Sequence, residues 1–191
     1  ITNNTATFVD PNLNVTSNGT LSGFVVTITD SYTTGDILSY TGSLPSGVTA
    51  AAFNTTTRSL VFSGSATAAN WQTLLRTVKL QTTSATCFPE SRKVAFIAGN
   101  KYYNPLNDHY YEYYATNGNW LPRKDYAATQ SYFGRVGYLA TSTSQAENSF
   151  MCKLIGNNSW IGCSDEYTQI NAAVGYTMYA NQTASEGKFY W

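Results

Sequence analysis

Charged side chains are scarce in this chain, and their scarcity excludes whole classes of function. They make up 12% of the 191 residues, with 11 basic and 11 acidic side chains and a formal net charge of zero. Because no basic field is available to neutralise a phosphate backbone, the composition argues against nucleic-acid binding. Uncharged polar residues must supply the solubility instead, and an aromatic content of 15% argues against disorder.

Long apolar runs and an initiator methionine are also missing. No stretch reaches the roughly 18 consecutive apolar residues that a transmembrane helix needs, so we expect no membrane span in this segment. No apolar core typical of a signal peptide follows Ile1 either. A chain that begins in this way is expected to be a processed or partial protein.

Cysteine and histidine are too few for a zinc site. The three cysteines, Cys87, Cys152 and Cys163, form no CxxC pair, and the chain has one histidine. An odd count predicts one disulfide, with the third cysteine free or paired with a partner outside the chain. No cofactor is required by these residues.

Asparagine, in contrast, is frequent in the sequence context that N-glycosylation uses. Six N-x-S/T sequons are present, at Asn3, Asn14, Asn18, Asn54, Asn157 and Asn181. Some will arise by chance in a chain so rich in Asn, Ser and Thr. Together with the low charge and the cysteine usage they favour a glycoprotein that is extracellular or at the cell surface.

The first half of the chain reads as a series of short strands. Apolar and β-branched runs at 24–29, 37–40, 48–53, 59–63, 78–82 and 93–98 are separated by turn residues. This spacing predicts an all-β antiparallel sandwich. One short helix interrupts it within residues 66–76, where Thr67 or Asn70 would provide the N-cap.

Four stretches of this half, at 25–30, 38–42, 44–48 and 60–64, resemble the cadherin-like, immunoglobulin-like repeats of surface adhesins. The resemblance implies a first module at 1–98 and a linker at 99–106. Such repeats often bind calcium, which needs six to eight oxygen ligands, commonly from several carboxylates. The carboxylates of this half, Asp10, Asp30, Asp36 and Glu90, are dispersed, so we interpret the three aspartates as turn formers.

The second half begins with a tyrosine-dense run, from His109 to Tyr114. Asp108 and His109 would be the obvious catalytic pair, but neighbouring strand residues point to opposite faces, so Asp108 is poorly placed to orient the imidazole. No G-x-S-x-G nucleophile elbow occurs. We therefore expect no enzyme activity, and we interpret the tyrosines as core and cross-strand residues, with stacking on sugar rings as the alternative.

Several segments of this half resemble the C-type lectin fold. They are 109–113 (His-Tyr-Tyr-Glu-Tyr), 137–141 (Gly-Tyr-Leu-Ala-Thr), the capping box of Ser144 and Glu147 with Phe150, 160–162 (Trp-Ile-Gly) and 186–191. The resemblance implies an α+β C-type-lectin-like module at 107–191, incomplete at its C-terminal end. The cysteine pattern usual in that family is missing, because the first helix of the module carries no cysteine. Packing of the second helix on the strand at 160–162 would bring Cys152 and Cys163 together and leave Cys87 for an outside partner. A disulfide from Cys87 to either of the others would instead link the two modules.

Sugar-binding members of that family hold Ca²⁺ through Glu-Pro-Asn or Gln-Pro-Asp and Trp-Asn-Asp triplets, none of which occurs here. The remaining calcium candidates are Asp165 and Glu166, although two adjacent carboxylates are more often simply solvated. The expected function is a non-enzymatic structural or adhesive glycoprotein module that associates with itself or with other surface proteins, for example as a repeating subunit of a surface filament. The alternative is a Ca²⁺-dependent lectin that binds glycans.

Overall fold

The computed structural model of the protein describes residues 4–84, 91–115, 118–155 and 158–189, without the side chain of Ala173. Among the residues named above, Ile1, Asn3, Cys87, Glu90 and Asn157 lie outside the described ranges, as do residues 190–191 of the segment 186–191.

Antiparallel pairing organises the first half into two sheets. The strands in chain order are β1 (Thr7–Phe8), β2 (Leu21–Asp30), β3 (Asp36–Tyr40), β4 (Thr49–Ala50), β5 (Ser59–Ala66), β6 (Val78–Thr82) and β7 (Lys93–Ala98). One sheet has the order β1-β6-β3 and the other β4-β5-β2-β7. The β-rich antiparallel fold expected from the strand spacing is confirmed.

Apolar side chains from both sheets share one core. The largest fully buried members are Trp71, Phe62, Ile28, Leu38, Leu74 and Leu75. Trp71 and its two leucine neighbours come from a short helix, and the indole Nε1 of Trp71 donates a hydrogen bond to the Leu21 carbonyl at 2.9 Å. The core therefore joins that helix to the sheets at the level where β2 begins.

Five helices are assigned in the described residues: α1 (Ala68–Leu75), α2 (Trp120–Thr129), α3 (Gln145–Leu154), α4 (Tyr167–Val174) and α5 (Gln182–Ser185). Helix α1 is the one predicted within 66–76, and Thr67 caps it, because its side-chain oxygen accepts the Asn70 amide at 3.3 Å. Both the helix and its cap were readable from sequence.

A hairpin of β8 (Lys101–Asn104) and β9 (His109–Glu112) follows the sandwich. By backbone contacts, residues 1–114 and 146–154 form one compact unit, so the hairpin and most of α3 group with the sandwich. The rings of Tyr111 and Phe150 are 5.5 Å apart there. This grouping differs from the predicted modules 1–98 and 107–191, and those boundaries stay a prediction.

The other unit, residues 115–145 and 155–191, contains α2, α4, α5 and the short hairpin of β10 (Ser131–Tyr132) and β11 (Arg135–Val136). The run Tyr138-Leu139-Ala140 predicts a short buried strand and residues 159–162 predict the start of another, but neither strand is formed. Instead, Gly162 donates one backbone hydrogen bond to Ala140 at 2.9 Å. The prediction of a buried strand at 138–140 is wrong, since Tyr138 is 60% exposed and one bond does not make a ladder.

In the part of the chain that the structure describes, no helix is both long enough and apolar enough to cross a membrane.

Candidate functional site

A cleft of about 440 Å³ lies in the first unit, where β2 starts and where β5 and β7 end. We call it the serine cleft, and it is lined by Ser22, Ser63, Gly64, Ser65, Asn100, Tyr102, Tyr113 and Leu154. Its volume falls within the range of small-molecule sites in proteins, about 300–1,000 Å³. Its chemistry follows from the strands that build it.

A bulge between β2 and β5 shapes the cleft. Ser22 pairs with Ser65, and the register shifts before Phe24 pairs with Phe62. Gly64 lies in this shift with φ of +124°, and a Cβ on it would come 2.2 Å from the Gly47 carbonyl oxygen. Because β-bulges re-aim side chains, the missing side chain at Gly64 is part of how the cleft is made.

Serine side chains occupy the outer face of the sheet at the bulge. Phe62 and Ala66 of β5 are buried in the core, whereas Ser63 and Ser65, which alternate with them, are exposed. Ser22 joins them from β2 because it is paired with Ser65. Strand alternation thus places three hydroxyls together on the solvent side.

The loop after β7 and the hairpin supply the other polar groups of the cleft. Asn100 follows β7, Tyr102 lies on β8, and Tyr113 follows β9. Burial raises the pKa of the Tyr102 phenol above its ordinary value of 10.0, so this group is neutral and a hydrogen-bond donor at pH 7. No charged side chain is among the described residues that line the cleft.

The six polar side chains of the cleft share one property. They are Ser22, Ser63, Ser65, Asn100, Tyr102 and Tyr113. In the ranges that the structure describes, none of their side-chain polar atoms forms a hydrogen bond with another protein group. By contrast, two buried hydroxyls of β2 and β5, Thr27 Oγ1 and Ser59 Oγ, form a hydrogen bond with each other at 2.7 Å. The hydroxyls of the cleft are thus available to a ligand or to water.

Three of the four sequons in the described ranges have an exposed asparagine. Asn14 and Asn18 both lie in the loop before β2 and are exposed. Asn54 is half-buried in a turn, where its side-chain oxygen accepts the amides of Thr56 at 2.9 Å and Thr57 at 3.1 Å. Asn181 is exposed, and its side-chain oxygen caps α5 by accepting the Ala184 amide at 3.0 Å.

The predicted disulfide is not formed in the structure. Cys152 is exposed on α3, Cys163 is half-buried, and both are free thiols. Within the first unit, α3 packs through Phe150 on Tyr111 of β9. Burial is the main cause that raises the pKa of the Cys163 thiol, followed by the nearby Asp165, so this thiol is a poor nucleophile at pH 7.

The two calcium candidates have structural partners. Glu166 caps α4, and its carboxylate accepts the amide of Gln169 at 2.9 Å and the hydroxyl of Thr168. Asp165 accepts the amide of Gly187 at 3.1 Å. No group of three or more His, Cys, Asp or Glu side chains suited to a metal occurs in the ranges described. The structure assigns the pair to capping and loop closure.

Three aspartates of the described ranges also have defined partners. Asp10 makes the expected turn by accepting the Asn12 amide at 2.9 Å. Asp36 is more than a turn former, since it forms a buried ion pair with Arg92. Asp108 accepts a 2.5 Å hydrogen bond from the Tyr103 phenol, which is the main cause that raises the pKa of Tyr103 to about 12.

Comparison with known proteins gives one informative similarity. A stretch of this chain is 35% identical over 122 residues to Halomucin from Haloquadratum walsbyi. The match covers 61% of this chain and 1% of that protein, so the chain spans only a small part of the relative. No family model matches the chain, and no solved structure matches it. The cadherin-like and C-type-lectin-like assignments therefore stay predictions.

Proposed function

We propose that this chain is a non-enzymatic structural or adhesive module of an extracellular surface glycoprotein. The similarity to a stretch of Halomucin carries the proposal, because the relative's name places it among the mucins, which are heavily glycosylated. The exposed sequons at Asn14 and Asn18 and the nearly uncharged composition support the same environment.

Association with further copies or with other surface proteins is the second part of the proposal. The hairpin of β10 and β11 exposes Phe133 to 78% and Val136 to 69%. When large, accessible apolar side chains occur together, they typically mark a surface that another protein covers in an assembly. A repeating subunit of a surface filament would use such contacts many times over.

Labelling of intact cells tests the location. An amine-reactive reagent that does not cross membranes is applied to cells that make the protein, and labelled peptides are identified by mass spectrometry. The exposed side chain of Lys93, at 75% exposure, is the expected target. A cytosolic protein serves as the negative control. Labelling that appears only after lysis would contradict a surface location.

A Ca²⁺-dependent lectin is the alternative that the resemblance to C-type lectins implies. It predicts glycan binding that is lost with a chelator and restored by added calcium. The structural or adhesive proposal predicts no effect of the chelator on the size or the surface location of the protein. Parallel measurements with and without chelator therefore separate the two.

A further inference from the structure

The serine cleft has the chemistry of a carbohydrate site. We propose that it binds a neutral saccharide directly, without calcium. The proposal goes beyond the structural or adhesive function, because a scaffold module needs no sugar site. It rests on the polar lining, the bulge that builds it and the lack of charge.

The lining complements an uncharged polyol. Serine and tyrosine hydroxyls each donate and accept, and the amide of Asn100 does both through different atoms. Sugar hydroxyls have the same double character, so each can pair with a lining group. An anionic or cationic ligand would find no counter-charge among the described residues of the cleft. The preference is therefore for a neutral ligand.

The same lining accounts for independence from calcium. Calcium-mediated recognition needs carboxylates that hold the ion while the sugar completes its oxygen shell. None of the described lining residues is Asp or Glu. Recognition at this place has to be direct, through hydrogen bonds and through contact of the sugar's apolar C–H groups with Tyr102, Tyr113 and Leu154.

The position of the polar groups is fixed before any ligand binds. The backbone of Gly47 packs so closely on Gly64 that no Cβ would fit, which fixes the bulge. Strand pairing fixes the positions of Ser22 and Ser65. Asn100 follows Gly99, whose amide donates to the Gly23 carbonyl at 3.0 Å. Preorganised donors and acceptors lose little conformational entropy when a ligand binds.

Titration of the full 191-residue chain tests the proposal. The probes are glucose, galactose, mannose, N-acetylglucosamine and N-acetylgalactosamine, with sialic acid and glucuronic acid as anionic comparisons. Binding is followed by NMR chemical-shift changes with a chelator present throughout. We expect at least one neutral sugar to bind and to shift signals of Asn100 and Ser65. Binding only of the anionic sugars, binding only when calcium replaces the chelator, or no binding would each overturn the proposal.

Two single substitutions locate the site. Asn100→Ala and Tyr102→Phe each remove one hydrogen-bonding group, and each is expected to weaken binding about three- to tenfold. Asn12→Ala and Tyr176→Phe are the matched controls, since both residues are exposed and lie outside the cleft. Equal affinity of all four variants would place the sugar elsewhere and overturn the assignment.

Folding and location are checked separately. Thermal unfolding shows whether each variant is folded. If Asn100→Ala or Tyr102→Phe is unfolded, Ser65→Ala takes its place, because this substitution removes only an exposed hydroxyl. Its loss of affinity is expected to match the other two. Surface labelling of intact cells reports on the proposed function alone, so a failure of sugar binding and a failure of surface location are distinguishable.

Discussion

The carboxylate of Asp36 and the guanidinium of Arg92 form an ion pair that is almost completely shielded from water. Arg92 Nε lies 3.0 Å from Asp36 Oδ2, and the two side chains are 5% and 0% exposed. Asp36 also accepts the Thr33 amide at 2.9 Å, and Arg92 donates to the Thr33 hydroxyl at 2.9 Å. The pair thereby ties the start of β3 to the residue that precedes β7.

Loss of this pair is expected to be costly. Asp36→Asn leaves the Arg92 charge buried without its counter-ion, and breaking a buried pair in this way typically costs about 3–5 kcal/mol. Asp30→Asn is the matched control, because Asp30 pairs with Lys93 at the surface and should change stability little. Urea unfolding at neutral pH measures both. Equal, small effects would show that the Asp36 pair does not stabilise the fold.

The same pair predicts a pH dependence. Burial by itself would raise the pKa of Asp36, but the hydrogen bonds from Arg92, Thr33 and Thr82 outweigh it and hold the pKa below the ordinary value of 3.8. A lowered folded-state pKa gives stability that is present above the unfolded-state pKa and is lost as the pH falls through the folded-state pKa. The stability difference between the wild type and Asp36→Asn should therefore be constant above about pH 5 and shrink below pH 4. Urea midpoints at stepped pH check this, and a difference that grows on acidification would contradict it.

Gly64 is expected to tolerate no side chain. Its φ of +124° is strained for any L-residue, and a Cβ would lie 2.2 Å from the Gly47 carbonyl oxygen. Gly64→Ala should cost about 1–3 kcal/mol from backbone strain alone, with the clash adding to it. Gly19→Ala is the control, since nothing lies within 4 Å of its Cβ position, and it should stay within about 0.5 kcal/mol of the wild type. Denaturant unfolding of the two variants makes the comparison.

The regular parts of the first unit were predictable because their signals are local. Alternating apolar residues gave most strands, and Thr67 gave the start of α1. The serine cleft was not predicted, because it depends on a register shift between β2 and β5, which are far apart in the chain. Gly64 inside a strand-like run was the available signal, since glycine in a strand interior often marks a bulge.

The second unit was harder to predict. The apolar run at 138–140 has strand character, but a strand also needs a partner along its length, and here Gly162 offers a single bond. Glu166 was read as a calcium candidate although it has the position of an N-cap. Asp36 was read as a turn former because its cation, Arg92, is 56 residues away in sequence. For 138–140 and for Asp36, the partner that decides the structure is distant in sequence. For Glu166, the capping role depends on α4, a helix that the sequence analysis did not predict.

Glycan occupancy should differ among the sequons. Asn14 and Asn18 are exposed, so both are expected to be modified in the protein from its natural source. Asn54 is half-buried, and its side-chain oxygen holds the following turn, so we expect it to be largely unmodified. Mass spectrometry of glycopeptides measures the occupancy, with Asn14→Gln as the control for assignment. Full occupancy at Asn54 together with none at Asn14 and Asn18 would contradict the prediction.

Self-association should depend on the hairpin of β10 and β11. Replacing Phe133 and Val136 together by Ser removes two exposed apolar side chains without touching a buried one. We expect the apparent mass by light scattering to fall toward that of the monomer, 20.9 kDa. Leu106→Ser is the control, because Leu106 is 59% exposed in the first unit. A wild type that is monomeric at all concentrations would exclude this surface as a self-contact.

Glu147 and Tyr111 should be energetically coupled. Tyr111 donates its phenol proton to Glu147 Oε1 at 2.5 Å, and Asn107 Nδ2 donates to the same oxygen at 3.0 Å. Glu147 is only 4% exposed, so a variant that removes its acceptor leaves polar groups buried without this partner. Glu147→Leu should therefore cost about 1–3 kcal/mol, and Tyr111→Phe somewhat less, because it removes the hydroxyl alone.

A double-mutant cycle isolates the contact between the two side chains. If the hydrogen bond fixes α3 on the β8–β9 hairpin, the double variant should be less destabilised than the sum of the single variants by about 0.5–3 kcal/mol. Tyr110→Phe combined with Glu147→Leu is the matched control, since Tyr110 is the neighbouring strand residue and points to the opposite face of the hairpin. Free energies from urea unfolding give all four corners of each cycle. Strict additivity in the Tyr111 cycle would mean that Phe150, through its ring contact with Tyr111, holds the helix without help from the buried carboxylate.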